Sequence, residues 1–248
     1  MDLGLAGRCF VLTGASKGLG FAAARELVRE GANVVISSSS AENVDAAVAE
    51  LGSQARGAVV DLTDATAPRR LIDLARAEFG RLDGLFVSHG GPPPGKPSEM
   101  DDETLRKGLE ISAVAPIRVV REVSAELGEG GAVVVLTSTS GAQPLDGLAS
   151  SNVARPGVQG FVKDLANELG PRGVRVNALM PGSYATERMR NIAANNPQAQ
   201  SDAEAATPLR RVGDPSELGA VAAFLLSGRA SYVTGAAWTA DGGRRAEL

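Results

Sequence analysis

The chain has 248 residues, 44% of them hydrophobic and 22% charged, with a net charge of −4 at pH 7. That length is enough for a buried core, in one large domain or two small ones, and the composition argues against a fibrous or disordered chain. The negative balance argues against nucleic acid or an anionic membrane held by bulk electrostatics.

The chain opens Met1-Asp2-Leu3, with no basic segment leading into an apolar stretch, so no signal peptide is expected. No apolar run reaches the roughly 18 residues of a membrane span. The expected location is the cytoplasm. The single cysteine, Cys9, lies in an apolar run and reads as a small buried hydrophobe that cannot form an internal disulfide. No metal site is expected.

Short apolar runs then alternate with helical spacing along the chain. CFVLT (Cys9–Thr13) precedes helical spacing over Phe21–Arg29, and NVVIS (Asn33–Ser37) precedes Asn43–Leu51. GAVVD (Gly57–Asp61) precedes Leu71–Phe79, and LDGLFVS (Leu82–Ser88) precedes Leu105–Leu127. AVVVLTS (Ala132–Ser138) precedes Gly157–Leu169. VRVNALM (Val174–Met180) precedes a polar stretch, a helix near Pro215–Leu226 and a last strand near Ala236–Thr239. Continuous Val, Ile and Leu runs are what strands buried on both faces look like. Their alternation with helices predicts one doubly wound α/β domain over residues 1–248, of the Rossmann type, with a seven-stranded parallel sheet. The least regular stretch, Arg188–Thr207, reads as a lid over a site.

The first strand runs into TGASKGLG, so Gly14, Ser16, Lys17, Gly18, Leu19 and Gly20 form the first strand-to-helix turn. Glycine permits a tight turn and lets backbone N–H groups approach a pyrophosphate, and the helix N-terminus beyond favours its charge. At the first βα junction of a βαβ series, this spacing predicts a dinucleotide site.

With this turn in place, the chain resembles the short-chain dehydrogenase/reductase superfamily, in particular the branch that includes 3-oxoacyl-carrier-protein reductases. TGASKGLG is similar to the family's TGxxxGxG. NELGPRGVRVNALMPG, TPLRRVGDPSELGAVAAFLLS and YVTGAAWTADGG are similar to its later motifs, in the same order. The resemblance implies further cofactor contacts: Asp61 and Leu62 near the adenine, Ser88 and Gly90 in the turn after the fourth strand, and Pro181, Gly182 and Thr186 on the nicotinamide side. NAD or NADP depends on the end of the second strand, where a carboxylate would bind the ribose 2′-hydroxyl and repel a 2′-phosphate. Here stand Ser37, Ser38, Ser39 and Ser40, and Lys17 matches a position associated with NADP. NADP(H) is therefore expected over NAD(H), with Ser38 and Ser39 as contacts.

The family's chemistry uses Asn, Ser, Tyr and Lys. The Tyr phenol moves a proton, and the Lys four residues on lowers its pKa. Here the resemblance puts Ser138 at the serine, Ser151 at the tyrosine, Arg155 at the lysine and Ser112 at the asparagine. An aliphatic hydroxyl is a far weaker acid than a phenol, and arginine stays charged. Arg155 can still hold the nicotinamide ribose or an anionic substrate. Two other groups are weighed as a proton source: Tyr184, in PGSYAT, and His89, which ordinarily titrates near neutrality. The loop GGPPPG (Gly90–Gly95) is stiff, follows a strand's carboxyl end, and is similar to one in an atypical branch of the superfamily.

The expectation is an NADP(H)-dependent oxidoreductase of a small carbonyl or hydroxyl compound, with a non-standard active site. Two alternatives stand beside it: a catalytically impaired cofactor-binding protein, and a dehydratase or epimerase on the same fold. The C-terminal motif and the helices carrying Ser112 and Ser151 resemble surfaces that build symmetric tetramers in the family, so a homotetramer is expected, with a dimer second.

Overall fold

The computed structural model describes residues 2–92 and 94–246. Pro93, inside the proline-rich loop, lies outside the described residues, as does Met1. Seven strands form one sheet: β1 (Cys9–Thr13), β2 (Asn33–Ser38), β3 (Ala55–Val59), β4 (Gly84–Val87), β5 (Ala132–Leu136), β6 (Arg175–Pro181) and β7 (Ala237–Ala240). Their order is β3-β2-β1-β4-β5-β6-β7 and every neighbouring pair is parallel. The chain winds outward from β1 in one direction and then from β4 in the other. The crevice beyond the carboxyl ends of β1 and β4 is thus the topological switch point, where this architecture places ligands.

Alternate side chains of each central strand enter opposite layers. Phe10 and Leu12 of β1 join one core with Leu27 of α1 (Gly18–Arg29), Leu51 of α2 (Ala41–Leu51) and Leu218 of α9 (Pro215–Leu226). Cys9 and Val11 join the other, with Leu71 of α3 (Ala67–Phe79), Val119 of α5 (Ala115–Ala125) and Val162 of α6 (Ala149–Leu169). Cys9 is fully buried, and that burial pushes its thiol pKa up to about 12, so it is inert packing.

Several boundaries differ from the sequence reading, each for a local reason. β3 starts two residues before the expected Gly57 and ends at Val59, because Asp61 turns the chain, its Oδ1 accepting both the N–H and the hydroxyl of Thr63. β4 starts at Gly84 rather than Leu82, because Asp83 instead accepts the Cys9 N–H and pairs with Arg8 and Arg81. The helix expected over Leu105–Leu127 is interrupted: α4 (Asp102–Leu109) passes through a π-helical turn, Glu110–Val114, into α5. Pro116 accounts for it, since it has no N–H to give the Ser112 carbonyl and its ring crowds that oxygen. The polar stretch after β6, expected to be irregular, carries two short helices, α7 (Glu187–Asn195) and α8 (Ala199–Ala205).

Candidate active site

The glycine turn is built against the end of β4. Thr13 Oγ1 donates to the Ser88 carbonyl at 2.8 Å, and Ser88 N–H returns a bond to the Thr13 carbonyl at 3.3 Å. Gly14 has φ +54°, and a Cβ there would stand 2.6 Å from the Ser88 oxygen; one on Gly20 would stand 2.5 Å from the Gly14 oxygen. Both positions therefore require glycine. Lys17, the N-cap of α1, makes no side-chain cap, and no acid lies in the first turn. The leading N–H groups and the positive end of the helix thus face the switch point with no side chain of their own over them, which fits a dinucleotide pyrophosphate. Thr186 closes this turn from above: its Cγ2 lies 3.8 Å from where a Gly18 Cβ would be, and its Oγ1 caps α7 through the Met189 N–H.

At the adenosine end, β2 closes on Ser37 and Ser38. Ser37 Oγ is buried without a hydrogen-bond partner among the described residues, Ser38 Oγ accepts the Ser40 N–H, and Ser40 caps α2 at Asn43. Ser39 is exposed. Lys17 is not free: its Nζ lies 3.2 Å from Glu187 across two half-exposed side chains. Leu62 is half-buried and packs against the core under α3, with the exposed Asp61 carboxylate beside it. On the other side, Pro181 ends β6 and Gly182 donates to the Ala240 carbonyl, so close to Asp241 that a Cβ would collide.

The catalytic candidates gather on α6 and the turn after β5. Ser138 Oγ accepts the Ser140 N–H at 3.1 Å, and Ser140 Oγ lies 2.9 Å from Ser151 Oγ. Ser140 therefore touches both neighbours, Ser138 through its backbone N–H and Ser151 through its hydroxyl, and only the Ser140–Ser151 contact joins two hydroxyl groups. Because Ser138 receives its bond from a backbone donor, its own hydroxyl hydrogen remains available to a substrate oxygen. Ser112 sits in the π-turn, which packs on α6; its Oγ is fully buried and has no partner among the described residues.

Arg155 lies one turn beyond Ser151, on the same face of α6. Its Nη1 donates to His89 Nε2 at 2.8 Å and to the Leu136 carbonyl at 3.2 Å. His89 Nδ1 lies 2.7 Å from the Gly90 carbonyl, so the ring is the Nδ1–H tautomer, donating to Gly90 and accepting from Arg155. Burial, and after it the charge on Arg155, push the His89 pKa down to about 3. His89 is thus not set up as the proton source weighed from the sequence: its ring is hydrogen-bonded within the turn, with Nε2 accepting from Arg155.

Tyr184 also departs from its expected role. Its hydroxyl donates to the Ala240 carbonyl at 2.9 Å, its ring fills the space over Gly213, and it belongs to the core under α9. Burial, ahead of the nearby Glu217 carboxylate, raises its pKa to about 12. The phenol is a structural tie between the β6 turn and β7, not a proton donor set up for neutral pH. Two residues that stand beside these candidates escaped the sequence reading: Ser140, bonded to Ser151, and Arg188, whose guanidinium lies against Gly91 in the turn after β4. Ser140 was visible only as the second serine of STSG, and Arg188, two residues past Thr186, only as the first residue of a polar stretch.

Comparison with known proteins finds the same architecture. The family model described as Enoyl-(Acyl carrier protein) reductase matches residues 14–245. Dehydrogenase/reductase SDR family member 4 of Homo sapiens is 35% identical over 251 residues, 98% of this chain and 90% of that protein. The A-factor type gamma-butyrolactone 1'-reductase (1S-forming) of Streptomyces virginiae is 35% identical over 246 residues, 96% of each chain. Among solved structures, L-sorbose reductase from Gluconobacter frateurii, complexed with NADPH and L-sorbose, matches with a TM-score of 0.92 at 28% identity over 100% of both chains.

The neutral His89 carries a pH signature. Its folded pKa lies below the ordinary value of 6.5, so the unfolded chain takes up the proton first as pH falls. Its contribution to stability is complete above that ordinary value and is lost progressively as pH drops toward the folded pKa. Urea unfolding of wild type and His89→Gln across pH should show wild type ahead by the largest margin above about pH 7, shrinking below about pH 6. A margin independent of pH would show that His89 is not held neutral.

Proposed function

The chain belongs to the short-chain dehydrogenase/reductase superfamily, and from that premise we propose that it is an NADP(H)-dependent oxidoreductase acting on a carbonyl or hydroxyl compound through a non-standard active site. The observation that carries this reading is the uncapped start of α1 at the switch point, with Ser138 and Ser140 on the neighbouring β5 turn and Ser140 bonded to Ser151 of α6. When bound, the nicotinamide supplies or accepts a hydride at the substrate carbon. Backbone N–H groups of the glycine turn would hold the pyrophosphate, and Thr186, Gly182 and Pro181 would flank the nicotinamide. Ser138 donates its free hydroxyl hydrogen to the substrate oxygen and polarises the carbonyl. Arg155, fixed by His89 and the Leu136 carbonyl, holds a hydroxyl or an anion beside it.

The proton step separates this site from the family's usual one. Reduction leaves an alkoxide that must take a proton at once, and Ser151 is too weak an acid to supply it as a phenol would. Ser112 Oγ, buried and unpartnered among the described residues on the π-turn beside α6, is one hydroxyl that could take part in a relay. A second reading, a protein that binds the cofactor without turning it over, draws on one observation. The perturbed groups around the site lie far from neutrality: His89 at about 3, Arg155 at about 10 and Tyr184 at about 12.

The cofactor preference rests on β2, which ends in hydroxyls with no carboxylate to repel a 2′-phosphate. Lys17 strengthens it, because an exposed pair such as that with Glu187 is worth little and is readily exchanged for phosphate. By calorimetry NADPH should bind at least about tenfold more tightly than NADH. Tighter NADH binding, or binding of neither, defeats the assignment.

Assembly is proposed as a homotetramer, since Tyr232 is fully exposed and Trp238 is 38% exposed on the open edge of the sheet. Light scattering at micromolar concentration should give about four times 25.3 kDa, and a stable 25.3 kDa species would refute it.

Catalysis supplies the decisive test. Wild type should reduce simple ketones at rates well below about 1 per second. Ser151→Tyr combined with Arg155→Lys should raise that rate by roughly 100-fold or more, with each single change doing less, because the phenol needs its cation. Wild-type turnover in the ordinary range, untouched by Ser138→Ala, would show that the site is misplaced. A double variant that binds NADPH and stays inert would favour the binding-only reading.

A further inference from the structure

Two buried or half-buried arginines in this chain invite comparison. Arg175 is 8% exposed, and both terminal nitrogens of its guanidinium donate, Nη1 to the carbonyls of Leu225 and Val233 and Nη2 to that of Ser227. That is a structural arginine, its charge spread over backbone acceptors. Arg155 is 6% exposed but differently placed. Nη1 is occupied by His89 and Leu136, while Nε is buried with no partner among the described residues. Among the described residues no carboxylate pairs with it. A buried cation in that condition is costly to the fold unless something else meets its charge.

A second cation is brought to the same place. Arg188, the second residue of α7, lies directly against Gly91: a Cβ built there would stand 2.1 Å from its Nη1 and 2.8 Å from its Cζ. A side chain at Gly91 would displace the guanidinium from this position. Arg188, too, has no carboxylate partner among the described residues. The turn His89-Gly90-Gly91, at the carboxyl end of β4, thus holds both: His89 orients Arg155 and Gly91 seats Arg188. The two charges are near enough to oppose each other, since Arg188 adds to burial in lowering the Arg155 pKa to about 10, which still leaves a cation at neutral pH. Because His89 is neutral, nothing in the cluster cancels either charge.

We propose that Arg155 and Arg188 together form an oxyanion subsite, so that the substrate is a carbonyl or hydroxyl compound that also carries a carboxylate or a phosphate. The fork of each guanidinium matches the paired oxygens of such groups, and the unpartnered Nε leaves Arg155 with donor capacity that the fold itself does not use. The subsite stands at the switch point, with Arg155 one helical turn from Ser151. This assignment rests on the oxidoreductase reading for its chemistry but not for its test. The same charge could instead serve the cofactor's own pyrophosphate, and the experiment separates the two sources.

The probe is malonate, with inorganic phosphate as a second oxyanion and malonamide as the uncharged control, titrated by calorimetry into the full chain alone and saturated with NADPH. Malonate or phosphate should bind, and malonamide should not. Arg188→Gln, a change on an exposed side chain, should weaken malonate by about tenfold or more, while its NADPH affinity stays within about twofold of wild type. Arg188→Lys should recover part of the loss, and an unchanged thermal midpoint would show the fold intact. Equal binding of malonamide, no binding of either oxyanion, or indifference to Arg188→Gln would overturn the subsite. Competition between malonate and NADPH, with Arg188→Gln weakening both, would reassign the pair to the pyrophosphate. None of these readouts needs turnover. A chain that binds malonate through Arg188 but never oxidises NADPH loses the oxidoreductase reading alone, and an active reductase blind to malonate loses this one alone.

Discussion

The Thr13 hydroxyl on the Ser88 carbonyl, and the absence of a side chain at Gly14 that lets the two turns touch, fix the geometry on which the rest of the site depends. This contact joins the carboxyl ends of β1 and β4, the two strands from which the sheet winds in opposite directions. On one side it orients the start of α1, with its uncapped N–H groups. On the other it sets the direction in which His89, Gly90 and Gly91 leave β4, and through them the positions of Arg155 and Arg188. A methyl group at residue 14 would push these two turns apart and disturb cofactor turn and arginine turn together.

The electrostatics of the site follow from what stands on α6. A Tyr–Lys pair couples an ionisable acid to a cation that tunes it. Ser151 and Arg155 keep the cation and remove the acid, so the charge on α6 has no phenolate to stabilise. The surroundings fit that change: Arg155 is tied to a neutral imidazole rather than a carboxylate, and the one phenol in the neighbouring turn, Tyr184, is committed to the Ala240 carbonyl. On the proposed reading, what remains is a site with positive charge and hydroxyl donors, suited to orienting a polar or anionic ligand and poor at giving up a proton.

Much of the fold was legible in the sequence because the central strands are buried on both faces and therefore read as unbroken Val, Ile and Leu runs. The boundaries slipped where side chains compete with the ladder, as at Asp61 and Asp83. The helix beyond β4 misled for a subtler reason: its apolar period continues through the π-turn, and only the missing N–H of Pro116 marks the break. The glycine turn was legible as a turn because its residues are contiguous. The arginine cluster was not. His89 and Arg155 are 66 positions apart, and their pairing depends on the approach of α6 to β4, which no local pattern encodes. Likewise, the histidine's reference pKa describes a solvated ring, while in the fold burial and a neighbouring cation decide its charge.

The polar atoms that the described residues leave unpaired make the same point from another direction. Folded interiors pair nearly all buried donors and acceptors, because an unpaired one costs on the order of 1–3 kcal/mol. Here Ser37 Oγ, Ser112 Oγ and Arg155 Nε are the exceptions among the described residues. They come from three different elements: the end of β2, the π-turn and α6. Random packing faults would scatter through both core layers. Instead Ser37 lies at the carboxyl end of β2, Arg155 reaches the carboxyl end of β5 through the Leu136 carbonyl, and Ser112 lies on the π-turn packed against α6. Among the described residues the unpaired buried side-chain atoms thus include two at carboxyl ends of strands, the end of the sheet where this topology places ligands, and a third on the helix turn packed against α6.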